Sequence, residues 1–564
     1  MSDMMRAARE QIADLIRSAA ARAAENGALP ECGDAVRGNI EIPRDQENGD
    51  FASAWAMAAA KALHRTPRQI AEAVVKDLDL TDSFFGEVDI AGAGFINFRF
   101  SAKWYRDVLL AVESAGKDYG RSDIGGGARV MVEFVSANPT GLMTIGNARG
   151  GVLGDTLAAV LDRAGYDVWR EFYVNDAGNQ VALFAQSLDV RYIQLIKGED
   201  AAALPENGYH GGDIRDLAQA FLDQEGEKWL SAPAEERQEA LKTFGLERNI
   251  RKMREDLDRY GIAYDCWFRE SALHDSGYVE ETVQLLIDSG HTYEKDDALW
   301  LRLTDLGAEK DEVLRRSNGF YTYFAVDMAY HRDKFVRRNF PQVIDVLGAD
   351  HHGHAIRFKT ALPTMGIDAD RLDFLIMQLV RLTRDGETVR VSKRTGKAIT
   401  LSDLLDEIPR DAVRFFFNSK PDTHLEFDMD LAIRQDSENP VYYIQYAHAR
   451  ICTLVAALAE EGVSLPGAGE IDITLLDSKH ERQLIKNLAR LPEEILHAAR
   501  DHDPSKINKY AYELAASFHT FYQHCRIKGT EPALQAARLQ LADATRAVIA
   551  CALDILGVSA PEQM

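Results

Sequence analysis

These residues predict an α/β protein: a Rossmann-like, doubly wound parallel sheet, preceded by a small α+β module and followed by an all-helical bundle. Three observations lead there. Strand and helix patterns alternate from residue 129 to about 180 and again from 342 to 379, the rhythm of a parallel sheet with crossover helices. Ahead of that stretch, short helical runs mix with an alternating strand pair. Beyond residue 440, Ala, Leu, Arg and Tyr recur at helical spacing almost to the end.

Composition is consistent with this. Of the 564 residues, 46% are hydrophobic, 9% aromatic and 27% charged, ordinary values for a chain that buries a large core, so disorder does not explain the whole. The 65 basic and 89 acidic residues leave −24, which argues against gross attraction to nucleic acid or membranes and leaves room for a local basic stripe. No run approaches the roughly 18 apolar residues of a membrane span, and Met1 to Arg22 reads as a polar-faced helix without a signal core. A cytoplasmic enzyme without membrane association is the expectation. The five cysteines, Cys32, Cys266, Cys452, Cys525 and Cys551, include no C-x-x-C pair, so neither a disulfide framework nor a zinc cluster is supported, and they read as small buried hydrophobes.

In order along the chain, the alanine-rich stretch Phe51 to Leu63 and the run Gln69 to Leu78 are helical, and Glu87 to Phe100 alternates as a strand pair around Gly92 and Gly94. Gly125-Gly126-Gly127 then marks a boundary. Arg129 to Val135 is a β-branched strand, followed by a Ser-Ala-Asn-Pro-Thr-Gly turn, a helix from about Asn147 to Gly165, a strand from Val168 to Val174 and a helix after Asp176. Residues 200 to 290 are charged and largely helical, which reads as an insertion into the sheet domain. Strand Gln342 to Leu347, helix His354 to Met365 and strand Phe374 to Leu379 resume the rhythm, and strand signals fade past Asp411. The expected divisions are 1–110, 111–400, a connecting segment 401–439, and a helical domain 440–564.

Two features carry chemistry. At the crossing from Val132 to Gly151, Gly146 lets a helix start approach a nucleotide closely, and Thr144 and Asn147 add short polar groups where N–H donors and a helix dipole face an anion. Neither a Walker A loop nor G-x-G-x-x-G is present, and from the glycines alone a closely packed helix is an equal explanation. The second feature is Gly386 to Lys397; residues 381 to 397 hold six basic and two acidic side chains, or +4. Such a loop suits charge developing on a polyphosphate, although alone it would pass for a basic surface loop.

Together the two features resemble the signatures of class I aminoacyl-tRNA synthetases. Thr144-Ile145-Gly146-Asn147 stands where that class carries H-x-G-H, and Arg390-Val391-Ser392-Lys393-Arg394 where it carries K-M-S-K-S. Within the class, Ser136-Ala137-Asn138-Pro139-Thr140-Gly141 resembles the arginyl-tRNA synthetase family. Glu133-Phe134, Tyr173 to Gln180, Tyr209-His210-Gly211, Gly348 to His352 and Asn439-Pro440 agree with that family, so the resemblance covers nearly the whole chain. Both signature histidines are replaced here, and Arg390 exchanges a point cation for a planar fork, while Lys393 is retained.

The resemblance implies an ATP-dependent arginine–tRNA ligase with arginine, ATP carried with Mg²⁺ and tRNA(Arg) as substrates. It places Thr144, Gly146, Asn147, Ser392 and Lys393 at ATP, with Lys393, Ser392, Thr144 and Asn147 as catalytic candidates. Tyr323 and Asp327, spaced i, i+4 in the helical stretch Tyr321 to Arg338, share a face, and a carboxylate with an aromatic is what a buried guanidinium requires. Glu133, Ser136 and Asn138 complete the arginine candidates. Asp350-His351-His352-Gly353-His354 reads as a polar loop at a strand end, which the resemblance places in the nucleotide and amino-acid pocket, and no structural metal is assigned. Tyr442, Tyr446, Arg450 and Tyr522 are the candidates for contact with tRNA, drawn from a wider group with His448, Phe518 and Arg526, because aromatics stack on unpaired bases. A monomer is expected. The rival readings are a noncatalytic tRNA-binding paralogue and another class I synthetase.

Overall fold

The computed structural model describes residues 3–31, 37–389, 391, 399–419 and 421–564. The helix Met4–Glu25 opens the chain, with the Asp3 carboxylate accepting from the amides of Met5 and Arg6. A four-stranded antiparallel sheet follows, in the order Ile40–Glu41, Phe51–Ser53, Phe95–Phe100, Phe85–Ala91. The expected strand pair forms with Ala91 opposite Phe95, whereas the alanine-rich stretch yields a strand at Phe51–Ser53 before its helix, Trp55–Leu63.

The central sheet has five strands: β1 (Arg129–Glu133), β2 (Asp167–Val174), β3 (Cys266–Arg269), β4 (Gln342–Gly348) and β5 (Leu372–Met377). Their order is β5-β4-β1-β2-β3 and every pair is parallel. Strand order reverses between β1 and β4, which places a crevice beyond their carboxyl ends. β1 buries Val130, Met131 and Val132 in sequence, as a strand covered on both faces must. Helix α1 (Ile145–Arg163) joins β1 to β2 and packs so closely that a Cβ on Gly154 would fall 2.2 Å from the Phe134 ring.

Between β2 and β3 the helices Gly178–Lys197, Gly212–Glu225 and Ala234–Tyr260 form their own small core around Phe184, Tyr192 and Phe221. The stretch expected as insertion, 200–290, therefore contains a strand of the main sheet, since β3 pairs with β2 from Glu171–Cys266 to Val174–Arg269. Four residues among long charged helices leave little period for a strand to show. A three-stranded antiparallel sheet, Thr292–Lys295, Ala298–Leu301 and Glu312–Arg315, comes next, ahead of helix α2 (Tyr323–Arg332). α2 runs on as a π turn, Asp333–Arg337, and helix α3 (His352–Ala361) follows β4.

Past β5, the hairpin Val380–Arg384 and Glu387–Val389 leads toward the second signature, and Val380–Arg384 also pairs with a short strand, Leu425–Asp428, beyond the point where strand signals fade. The bundle comprises α4 (Pro440–Glu460), Lys479–Ala489, Leu491–Arg500, α5 (Ser505–His524) and Pro532–Ile555. Asn439 caps α4 through the Val441 amide with Pro440 at the first position. The buried Arg414 guanidinium ties the parts together, donating to Asp155 on α1 (2.6 Å), to the Tyr260 carbonyl (3.2 Å) and to the Leu556 carbonyl (3.0 Å). Cys525 and Cys551 are buried, Cys266 and Cys452 half-buried. Among the described residues, no helix is long and apolar enough to cross a membrane.

Candidate active site

At the switch point, Glu133 ends β1 and Asp345 stands opposite it on β4. Two carboxylates side by side in a buried sheet need a cation, and the π turn supplies one: Lys334, wholly buried, donates to Glu133 (2.5 Å) and to Asp345 (3.0 Å). One extra residue per turn rotates a side chain relative to α-helical register, a recurrent device at functional sites. His331 Nε2 lies 2.8 Å from the other Asp345 oxygen. Burial pushes the Glu133 carboxyl up, with Lys334 offsetting part of it. Burial would also raise Asp345, but Lys334 and His331 overcome that and hold it down at about 2. Lys334 is pulled down by burial and, more strongly, up by Asp345 and Glu133, so it stays an ammonium.

The chain then makes a strained turn. Val135 and Ser136 have φ of 69° and 40°, left-handed values that are rare for a β-branched residue. The result is that Ser136 Oγ donates to Glu133 (2.8 Å) while accepting from the Tyr173 amide (3.1 Å). Asn138 is exposed and its amide donates to Gln180 (2.8 Å). The insertion braces this turn, because Tyr209 donates to Thr140 (3.0 Å) and Asn249 to the Pro139 carbonyl (2.8 Å).

Thr144 and Asn147 form a capping box at the start of α1. The Thr144 amide and hydroxyl both donate to Asn147 Oδ1, at 2.8 and 2.9 Å, and the Asn147 amide donates back at 3.4 Å. Gly146 is exposed, and a Cβ there would meet only Thr144 Oγ1, at 3.6 Å, so the entrance is open. Thr144 also bridges to Thr400, and the Leu401 amide donates to the Met143 carbonyl. The chain therefore returns to the helix entrance directly after the second signature. Ser392 and Lys393 themselves, with Arg390 and Arg394, lie outside the described residues.

Tyr323 and Asp327 sit on α2 one turn apart, Tyr323 64% exposed and Asp327 half-buried with Oδ2 at 3.1 Å from His354 Nε2. The buried Tyr173 phenol is pushed up by burial and then by the charges of Glu270, Asp327 and Glu133. Glu270, just past β3, accepts from the Tyr173 hydroxyl at 2.8 Å. Sequence reasoning missed Lys334, Asp345 and Glu270 as partners in this site, whereas His354 stands in the Asp350 to His354 segment that the family resemblance assigns to the pocket. An acid inside the apolar run Val343 to Leu347 was a signal for Asp345, whereas nothing local marks Lys334 or Glu270.

On the bundle, the four RNA candidates come together. Tyr442 and Tyr446 stack at 6.1 Å and 7°, and the Arg450 guanidinium lies over Tyr446 at 5.7 Å and over Tyr522 of α5 at 4.2 Å. His519 joins the Tyr446 ring at 6.1 Å. By contrast Phe518 is core, and His448 is buried with Nδ1 at 2.9 Å from the Pro561 carbonyl.

Comparison with known proteins agrees along the whole chain. The family models for the arginyl tRNA synthetase N terminal domain, the tRNA synthetases class I (R) catalytic domain and the DALR anticodon binding domain match residues 10–100, 114–436 and 444–564. The arginine–tRNA ligase of Acetivibrio thermocellus is 49% identical over 565 residues, covering 100% of both chains. That of Ruminiclostridium cellulolyticum is 48% identical over 557 residues, covering 99% of each. Among solved structures, Thermus thermophilus arginyl-tRNA synthetase superposes with a TM-score of 0.72 at 22% identity, covering 97% of this chain and 99% of that one, a likeness of fold. With three family domains in order and near-half identity from end to end, this chain belongs to the arginyl-tRNA synthetase family of class I synthetases.

Proposed function

We propose that this chain activates arginine with ATP, carried with Mg²⁺, to arginyl-adenylate and transfers the arginyl group to the terminal ribose of tRNA(Arg). The observation that carries the reading is the set of acids at the carboxyl ends of the parallel strands, Glu133 closing β1, Glu270 holding the Tyr173 hydroxyl just past β3 and Asp327 on α2, together with the exposed helix start at Thr144. Asp327 receives the guanidinium and Tyr323 closes over it. Glu133, Ser136 and Asn138 meet the amino and carboxylate end. The arginine carboxylate attacks the α-phosphorus, pyrophosphate leaves, and a ribose hydroxyl then displaces AMP from the acyl carbon. No covalent enzyme intermediate is needed. Gly146 and the amides near it face the phosphates, with Ser392 and Lys393 assigned to the charge that develops on pyrophosphate. The Tyr442–Tyr446–Arg450–Tyr522 ladder is assigned to unpaired anticodon bases, an apt surface for stacking.

One observation favours a second reading, a noncatalytic tRNA-binding protein: Thr144 Oγ1 and Asn147 Oδ1, at the places of the class's two histidines, are engaged with each other in the helix cap. Arginine-dependent exchange of pyrophosphate into ATP, measured with and without tRNA, decides between them. Exchange in either condition supports the ligase, and its absence in both leaves the binding protein.

A further inference from the structure

Of the histidines after β4, His351 and His352 are exposed while His354, on α3, is half-buried. Its Nε2 lies 3.1 Å from Asp327 Oδ2. The ring is clamped: Phe324 meets it edge-on at 5.8 Å, and Phe358 stacks on it at 5.7 Å and 27°. Phe358 in turn packs on the His331 ring at 4.5 Å, and His331 holds Asp345, which shares Lys334 with Glu133. Phe324, Asp327 and His331 occupy one face of α2, and His354 and Phe358 one face of α3, so two helices mesh around this chain of contacts.

A carboxylate that accepts a guanidinium through two bonds must hold both oxygens in the plane of the fork. The terminal torsion of an aspartate is broad, so its plane is set only by what touches the oxygens. We propose that His354 is a positioning residue for arginine recognition: the clamped imidazole at Oδ2 fixes the plane of Asp327 for the guanidinium and takes no part in bond making. The inference rests on the reading of Asp327 as the guanidinium receptor and deepens it.

The test is steady-state aminoacylation by the full-length enzyme with saturating tRNA, for Asp327→Asn, His354→Ala, His354→Gln and the double variant Asp327→Asn/His354→Ala. His354→Ala raises the arginine KM about tenfold, with kcat and the ATP KM within about twofold, because ground-state recognition alone is loosened. Glutamine, whose amide nitrogen reaches the place of Nε2, restores most of the loss. The double variant binds arginine no worse than Asp327→Asn, since His354 acts through that carboxylate. Should His354→Ala melt below the assay temperature, His354→Asn replaces it, with a donor too short to reach Asp327 and the same expected rise. An unchanged arginine KM without the imidazole, equal losses in the alanine and glutamine variants, or losses that simply add in the double variant each overturn the inference. If Asp327→Asn itself leaves arginine KM untouched, the pocket reading falls too; if only the His354 variants are silent, the pocket reading stands.

Discussion

Glu133 and Thr144 belong to one strand-to-helix crossing, yet their surroundings are opposite. Glu133 is enclosed, its carboxylate shared between a buried ammonium and a serine hydroxyl set by a strained turn. Thr144 is exposed, and its hydrogen bonds stay within the first turn of α1 and along the bridge to Thr400. Under the proposed function, this difference lets one crossing serve two ligands. A buried, charge-compensated network loses little on binding because its groups are already ordered, which suits a small amino acid held in one orientation. An open helix entrance with free space at Gly146 suits a large polyanion that must arrive and leave.

Replacing Lys334 tests the buried half most severely. Lys334→Met strands Glu133 and Asp345 without a cation, and thermal or denaturant unfolding should show a loss of about 3–5 kcal/mol. The pH dependence carries the same signature. Asp345 is held at about 2, below its ordinary 3.8, so the stability it contributes is present above the ordinary value and is lost as pH falls toward 2. In Lys334→Met the stability curve between pH 5 and pH 2 should be flatter than in the parent protein; an identical slope would mean that Lys334 does not hold the carboxylate down.

The open half is tested by Lys393→Ala. If the loop after Val389 supplies the charge for pyrophosphate departure, kcat in exchange falls about 10²–10³-fold while arginine binding, followed by calorimetry, is preserved. An unchanged rate would remove Lys393 from its role. A smaller effect is expected on the bundle, where Tyr522→Ala and Tyr446→Ala should each weaken tRNA binding by about 1–3 kcal/mol per lost stack, without altering the arginine KM. The smallest belongs to the cap: Asn147→Ala breaks the box and costs about 1 kcal/mol of stability. If it instead abolishes exchange, Asn147 touches nucleotide, and the contrast between the two halves of the crossing is weaker than the hydrogen bonds indicate.

The order of parts, the parallel sheet and the polar crossing at Asn138 to Asn147 were legible in the sequence because period, glycine spacing and turn chemistry are local properties. Short strands were not: β3 and Leu425–Asp428 have four residues each and are strands only because a neighbour pairs with them. That Tyr323 and Asp327 share a helix face was legible in the i, i+4 spacing, while their proposed role came from the family resemblance, and the aromatic ladder was nameable but could not be told from core, as Phe518 and His448 show.

Sequence alone determined which groups this protein can bring to a site: the acids, the glycine at the helix entrance and the basic run from Arg381 to Lys397. Tertiary structure decided how they are spent. Lys334 is 201 residues from Glu133 and 11 from Asp345, and only a π turn packed under two adjacent strands joins all three. Charge is written residue by residue, but desolvation and pairing depend on distances through space, and those exist only once the sheet has closed.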